Sequence, residues 1–209
     1  YYGGKQSMIK DILPLFPTHG LYCEPFFGGG AIFFAKEKSK VEIINDTNGE
    51  VINFYRVIKS KFSALEKEVD FTLHSRQHYN EASQIYKNPK KYSDVKRAWA
   101  FWIVTNQGYS ANIDGLEGWS YDNKNQRTRN ISNKREAFTS KLKERLKETQ
   151  IEQKDALAVI SRCDSKDAFF YCDPPYMGAD QGHYSGYTEK DFENLLITLA
   201  SIKGKFLLS

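Results

Sequence analysis

The sequence predicts an α/β fold: a mainly parallel sheet of the Rossmann type, interrupted by a helical and hairpin insertion. Three observations carry this reading. Short apolar strands alternate with amphipathic helical stretches at both ends of the chain, a glycine cluster joins the first strand to the first helix, and the middle of the chain loses the alternation and turns basic. The predicted division is a core built from residues 1–60 and 149–209, with an insertion over 61–148. At 209 residues, 40% of them apolar and 14% aromatic, the chain can fill an ordinary core, which excludes a disordered tail or a disulfide-stapled mini-protein.

Taken in order, Leu21-Tyr22-Cys23 reads as a strand running into the glycines, Ala31 to Lys38 as a helix, and Val41 to Ile44 as a second strand ending at Asn45-Asp46. The spacing Val51, Ile52, Tyr55, Ile58 after Asn48 suits a helix packed on such a sheet. Phe71 to Gln107 reads as largely helical, with His74 and His78 four apart on an exposed face; no acid or cysteine completes a metal site there. Gly108 to Asn133, polar and rich in Gly, Asn and Arg, predicts a hairpin or long loop. A short strand near Gln150 to Glu152 follows, then a helix over Asp155 to Ser161 and the strand Ala168 to Cys172. Thr188 suits the cap of a helix over Glu189 to Ile202, and Lys205 to Leu208 reads as a last strand. Its apolar residues have nothing to cover them, so further strands are expected beyond Ser209.

The net charge of +4 is unevenly spread. Between Tyr86 and Gln150 fourteen Lys and Arg face seven Asp and Glu, a local +7 that leaves the rest of the chain at −3. Such a segment is an electrostatic footprint for a polyanion such as nucleic acid, or a solvated helical face where acids interleave. Apolar runs such as Ala98 to Val104 are far shorter than a membrane span. Cys23, Cys163 and Cys172 form no Cys-x-x-Cys pair, and their odd number suits a reducing compartment, so a cytoplasmic location is expected.

Four stretches carry chemistry. Glu24-Pro25-Phe26-Phe27-Gly28-Gly29-Gly30-Ala31 lies between strand and helix, where glycines permit a tight turn and close approach of a ligand. Its spacing is not Gly-x-Gly-x-x-Gly, and the Glu24 carboxylate repels phosphate, so a cationic nucleoside such as S-adenosylmethionine is favoured. Asp46 lies 22 positions after Glu24, where an acid reaches ribose hydroxyls or caps the next helix through Asn48. Asp155 either meets the cofactor's adenine amino group or caps the helix after it. The most specific stretch is Asp173-Pro174-Pro175-Tyr176 directly after a strand. Two prolines fix successive φ angles, so the Asp173 carboxylate and the Pro174 carbonyl become two rigid acceptors for the hydrogens of an exocyclic amine, and Tyr176 offers a ring on which a base stacks. Beyond it, His183 and Tyr184 sit in a glycine-flanked stretch that suits either a closing loop or a connector. Tyr109 and Asn112 have the side chains to meet base edges or wedge into a stack, and Arg127 and Arg129 to meet phosphates.

With Tyr1-Tyr2-Gly3-Gly4-Lys5 at the start, the glycine stretch, Asn45-Asp46 and Asp173-Pro174-Pro175-Tyr176 in this order, the sequence resembles the DNA adenine methylase family. The resemblance reaches nearly the whole chain and is weakest in the middle third. It implies a class I methyltransferase sheet with an inserted target-recognition subdomain, and methyl transfer from S-adenosylmethionine to N6 of a flipped adenine in duplex DNA. By it Tyr1 and Lys5 border the cofactor with Glu24, Pro25, Phe26, Gly28 and Gly30, Asp46 holds the ribose, and Asp173 to Tyr176 grip the adenine. A monomer with no metal is expected, in some systems beside a restriction endonuclease partner. The same tetrapeptide would serve another planar amine, such as cytosine N4, an RNA adenine or a glutamine amide, and a catalytically idle DNA-binding module is the reading from a different class.

Overall fold

The computed structural model describes residues 5–109, 118–121, 123–176 and 187–209. Among them the chain forms two compact units, one from 5–52, 148–176 and 187–209 and the other from 53–147.

The first unit is built on a parallel sheet of β1 (Leu21–Glu24), β2 (Val41–Asn45), β3 (Gln150–Glu152), β4 (Ala168–Cys172) and β5 (Lys205–Leu208) in the order β3-β2-β1-β4-β5. The chain runs outward from β1 to β3 and returns to β4 on the other side of β1, so β1 and β4 flank a topological switch point. Their register pairs Leu21 with Ala168 and Cys23 with Phe170. Alternation along the strands covers both faces. Cys23, Ile43, Phe170 and Cys172 point to α8 (Ala156–Cys163) and α9 (Glu189–Ser201), packing with Val159, Ile160, Leu195 and Leu199. On the other face Tyr22 and Phe169 gather Phe16 and His19, with Phe16 and Phe169 edge to face at 4.6 Å. Thr188 caps α9 in a reciprocal box: its hydroxyl accepts from the Asp191 N–H while Asp191 accepts from the Thr188 N–H. Strand β5 pairs with β4 and is half exposed, Phe206 being 45% accessible.

Short helices α1 (Ile9–Ile12) and α2 (Ala31–Ala35) belong to this unit. Helix α3 (Gly49–Asp70) begins in it and continues into the second, with non-helical backbone at Lys61 (φ −134°, ψ 34°).

The second unit is helical: the rest of α3, α4 (Arg76–Lys87), α5 (Asp94–Gln107), α6 (Gln126–Glu136) and α7 (Ser140–Leu146). Ser75 and Ser93 cap α4 and α5 through their hydroxyls. Residues Ala98 to Thr105 of α5 are all buried, as a helix apolar on every side must be. Phe62 and Phe138 stack at 5.4 Å.

Two expectations for this unit are corrected. The stretch expected as hairpin or loop ends inside α6, which begins at Gln126; only Ile131 of that helix is buried, so no apolar period announces it. Among the described residues, hairpin-like pairing joins Gly108 to Trp119, with Tyr109 N–H donating to the Gly118 carbonyl. His74 and His78 do not share an exposed helix face: His74 precedes α4 and lies 4.9 Å from the Trp119 ring, while His78 Nδ1 accepts the Leu73 N–H. Among the described residues no helix is long and apolar enough to cross a membrane.

Candidate active site

Parallel strands end their carboxyl termini on one edge, and there the sheet unit gathers its chemistry. The turn after β1 holds Gly28 at φ 48° and Gly30 at φ 62°, and a Cβ on Gly30 would meet the Phe27 ring at 2.5 Å. Asn45, fully buried at the end of β2, ties two such turns together. Its Nδ2 donates to the carbonyls of Pro25 (2.9 Å) and Lys154 (3.0 Å), and its Oδ1 accepts the Lys154 N–H (2.9 Å). Asp46 follows it, 4% exposed, with Oδ2 accepting from Gly28 N–H and Oδ1 from Asn48 N–H. The cap of α3 is Asn48 itself, whose Oδ1 accepts from Glu50 N–H, so Asp46 supports the cap and shapes the glycine turn. Burial, its largest influence, raises the Asp46 pKa against those backbone donors.

A cleft of about 330 Å³ opens on this edge, lined by Pro25 and Phe26 after β1, Asp46 and Thr47 after β2, Asp155 to Leu157 after β3, Pro175 after β4, and Tyr187 and Asp191 at the start of α9. Asp155 both lines it and caps α8, accepting from Ala158 N–H at 3.0 Å. The lining holds three carboxylates and no Lys or Arg. It is therefore hostile to phosphate and suited to a nucleoside that is neutral or cationic, with apolar walls from Phe26, Leu157 and Pro175. The Tyr187 hydroxyl is buried with no partner among the described residues, and its pKa is pushed up to about 12, chiefly by burial and then by Asp191. An orphaned donor in the wall is what a ligand with hydroxyl or carboxylate oxygens would satisfy. The residues present thus fit S-adenosylmethionine.

Glu24, 2% exposed at the end of β1, is not in the lining. Burial raises its pKa to about 8, against the Tyr22 hydroxyl that donates to it at 2.5 Å and the charge of Lys36, while Asp173 pushes the same way as burial. Lys36 in turn pairs with buried Glu42 at 2.6 Å and stands 4.2 Å above the Tyr22 ring.

Asp173 follows β4 directly, with Pro174 buried and Tyr176 51% exposed. Asp173 Oδ1 accepts from the Tyr176 hydroxyl and pairs with Lys5 Nζ, each at 3.2 Å, and Lys5 also donates to the Tyr176 oxygen. Burial raises the Asp173 pKa, opposed by Lys5 and Tyr176. For Lys5, burial is again the largest influence and acts downward, yet the bonds to Tyr176 and Asp173 leave its pKa raised.

Of the residues singled out from sequence, Pro25, Phe26, Asp46, Asp155 and Pro175 line one cleft, and Gly28 is bonded to Asp46. Lys5 stands against Asp173 and Tyr176 and is not in that lining. Tyr1, Asn112, His183 and Tyr184 lie outside the described residues. Thr47, Ala156, Leu157, Tyr187 and Asp191 were missed; the signal was there, since each lies within a few residues of a strand end or a helix start on this edge. In the helical unit Tyr109 is 71% exposed and Arg127 and Arg129 are exposed on α6. Among the described residues no cluster of His, Cys, Asp and Glu could hold a metal ion.

The family model for D12 class N6 adenine-specific DNA methyltransferases matches residues 1–206. The chain is 28% identical over 206 residues to the type II methyltransferase M1.LlaDCHI of Lactococcus lactis subsp. cremoris, covering 91% of this chain and 69% of that protein. It is 26% identical over 212 residues to the type II methyltransferase M.MjaIII of Methanocaldococcus jannaschii, covering 92% and 73%. Over 106 residues it is 33% identical to the DNA N-6-adenine-methyltransferase of Escherichia phage P1, covering 47% of this chain and 13% of that protein.

Proposed function

The chain belongs to the D12 class N6 adenine-specific DNA methyltransferase family, and from that premise we propose that it transfers the methyl group of S-adenosylmethionine to N6 of an adenine flipped out of duplex DNA at a specific sequence. One observation carries the reading furthest. A phosphate-averse cleft and the Asp173-Pro174 acceptor pair are built on the same sheet edge, the first from the turns after β1, β2 and β3 with Pro175 and the start of α9, and the second from the turn after β4.

S-adenosylmethionine, when bound, supplies an activated methyl group on sulfur, so neither a metal nor a covalent enzyme intermediate is required. Phe26 and Leu157 would wall the cofactor, Asp46 and Asp155 would accept from its hydroxyl and amino groups, and the Tyr187 hydroxyl would gain a partner. Asp173 and the Pro174 carbonyl would accept the two hydrogens of the adenine amine. That would draw its lone pair out of conjugation with the ring and toward the methyl carbon; the N–C bond would form as the methyl–sulfur bond broke, its electron pair leaving on the neutral thioether, and the Asp173 carboxylate would stabilise the cationic amine until it lost a proton to solvent. Tyr176, exposed beside them, would offer the ring on which the extruded base stacks. The helical unit would be the target-recognition part, with Tyr109 and Asn112 at the bases and Arg127 and Arg129 at phosphates.

The test is single-molecule sequencing of plasmid DNA from cells expressing the protein or its Asp173→Asn variant. N6-methyladenine in one sequence context with the parent and a loss of at least about a hundredfold with the variant is expected, as when transition-state hydrogen bonding is removed. Modification at cytosine N4, or of RNA alone, would overturn the adenine assignment.

A further inference from the structure

The Asp173 carboxylate has two oxygens, and the structure treats them differently. Oδ1 accepts from the Tyr176 hydroxyl at 3.2 Å and pairs with Lys5 Nζ at 3.2 Å, whereas no partner for Oδ2 is found among the described residues. Lys5 closes the triangle by donating to the Tyr176 oxygen, and its ammonium stands 4.8 Å from the centre of the Tyr176 ring. Lys5 is only 9% exposed, so this is a built contact and not a stray surface pair.

We infer that Lys5 and the Tyr176 hydroxyl are positioning residues, which together take up Oδ1 of Asp173 and leave Oδ2 turned to the substrate amine. The inference rests on the reading of Asp173 to Tyr176 as an amine clamp and adds to it two groups that set the clamp's orientation and charge. An amine donating two hydrogens needs one acceptor for each; with Oδ1 saturated, Oδ2 serves one and the Pro174 carbonyl the other. The charge matters as much as the aim. A protonated Asp173 would present a donor to an amine that has only hydrogens to offer on those two axes, so the clamp works only when the carboxylate is ionised. Facing it are Glu24 on β1, Tyr171 and Cys172 on β4, Tyr176 and Lys5; burial disfavours its charge, while the Lys5 cation and the Tyr176 hydroxyl favour it.

The experiment titrates Asp173 by carboxyl carbon NMR in the whole protein, its signal identified by loss in Asp173→Asn, and then follows single-turnover methylation across pH. In Lys5→Met the titration midpoint moves to higher pH and Lys5→Arg brings it back toward the parent. Tyr176→Phe moves it upward by less, since one neutral donor is lost. In Lys5→Met the transfer rate at pH 6 falls about tenfold further below its own alkaline plateau than the parent's does, the effect of one protonation step. Cofactor affinity by calorimetry stays within about twofold of the parent's, as one weak contact at most is altered. An unchanged Asp173 midpoint in Lys5→Met, or a loss of cofactor affinity with the acid limb of the rate profile unmoved, overturns the assignment. A shifted midpoint in a parent that methylates no DNA would instead sink the methyl-transfer reading and leave the Lys5 placement standing.

Discussion

Glu24 illustrates how far one side chain departs from its type. Its pKa near 8 in the folded chain lies well above the ordinary glutamate value of 4.5, so between those values the folded chain holds a proton that the unfolded chain has released. Stability must therefore fall as pH rises through that window, by at most about 1.4 kcal/mol per pH unit. Glu24→Gln keeps an acceptor for the Tyr22 hydroxyl and cannot ionise. Urea denaturation at pH 5 and pH 7.5 should show the parent losing stability relative to the variant as pH rises, and parallel behaviour would mean that Glu24 is charged throughout. None of this was legible in the sequence. There Glu24 was an acid guarding a turn; its burial comes from β1 lying between β2 and β4, a tertiary fact. The tetrapeptide at Asp173 was legible because two prolines after an apolar strand are distinctive in themselves. Its link to Lys5, 168 positions away, was not, and neither was the use of the Tyr176 hydroxyl, since a ring reading alone leaves that group idle.

Among elements, those that bury apolar stripes were readable and those that do not were missed. The five strands and helices α8 and α9 follow from alternation and from caps such as Thr188. Helix α6 has Ile131 as its one apolar residue and left no periodic trace. The turns at the strand ends depend on a residue that sequence patterns mark only weakly. Asn45 joins the turn after β1 to the turn after β3 through three hydrogen bonds. Asn45→Ala should cost roughly 2–4 kcal/mol, as buried backbone groups lose their partners. It should also weaken cofactor binding, because both turns line the cleft. Asn48→Ala, which removes a helix cap, should cost only about 1 kcal/mol. Urea titration and calorimetry of the two variants check the ranking; equal costs would mean that the cleft is held by its glycine turn and not by the Asn45 tie.

At the scale of the whole molecule the charges separate with the two units. The sequence over 53–147 holds 19 Lys and Arg against 10 Asp and Glu, a balance of +9, and the remainder holds 11 against 16, a balance of −5. Residues 53–85 contribute 5 Lys and Arg against 4 Asp and Glu, so the excess stays in the later part of the helical unit, within the segment where the sequence placed it. If that unit grips phosphates, log affinity for a cognate duplex should fall steeply against log salt, and Arg127→Ala and Arg129→Ala should each flatten the slope by about 1. Binding series in rising salt decide this; unaltered slopes would place the phosphate contacts on other cations. The strand order has a consequence on a different axis, that of time. Strand β1 must wait for β4, since Leu21 pairs with Ala168, and everything in the helical unit is encoded between them. On a ribosome adding about 5–20 residues per second, the open edge of β1 stays without its neighbour for roughly 7–30 s. The helical unit is complete in sequence before the sheet can close, so a nascent chain stalled within the β4 region should already protect the helical stretch from protease while β1 and β2 remain open to it.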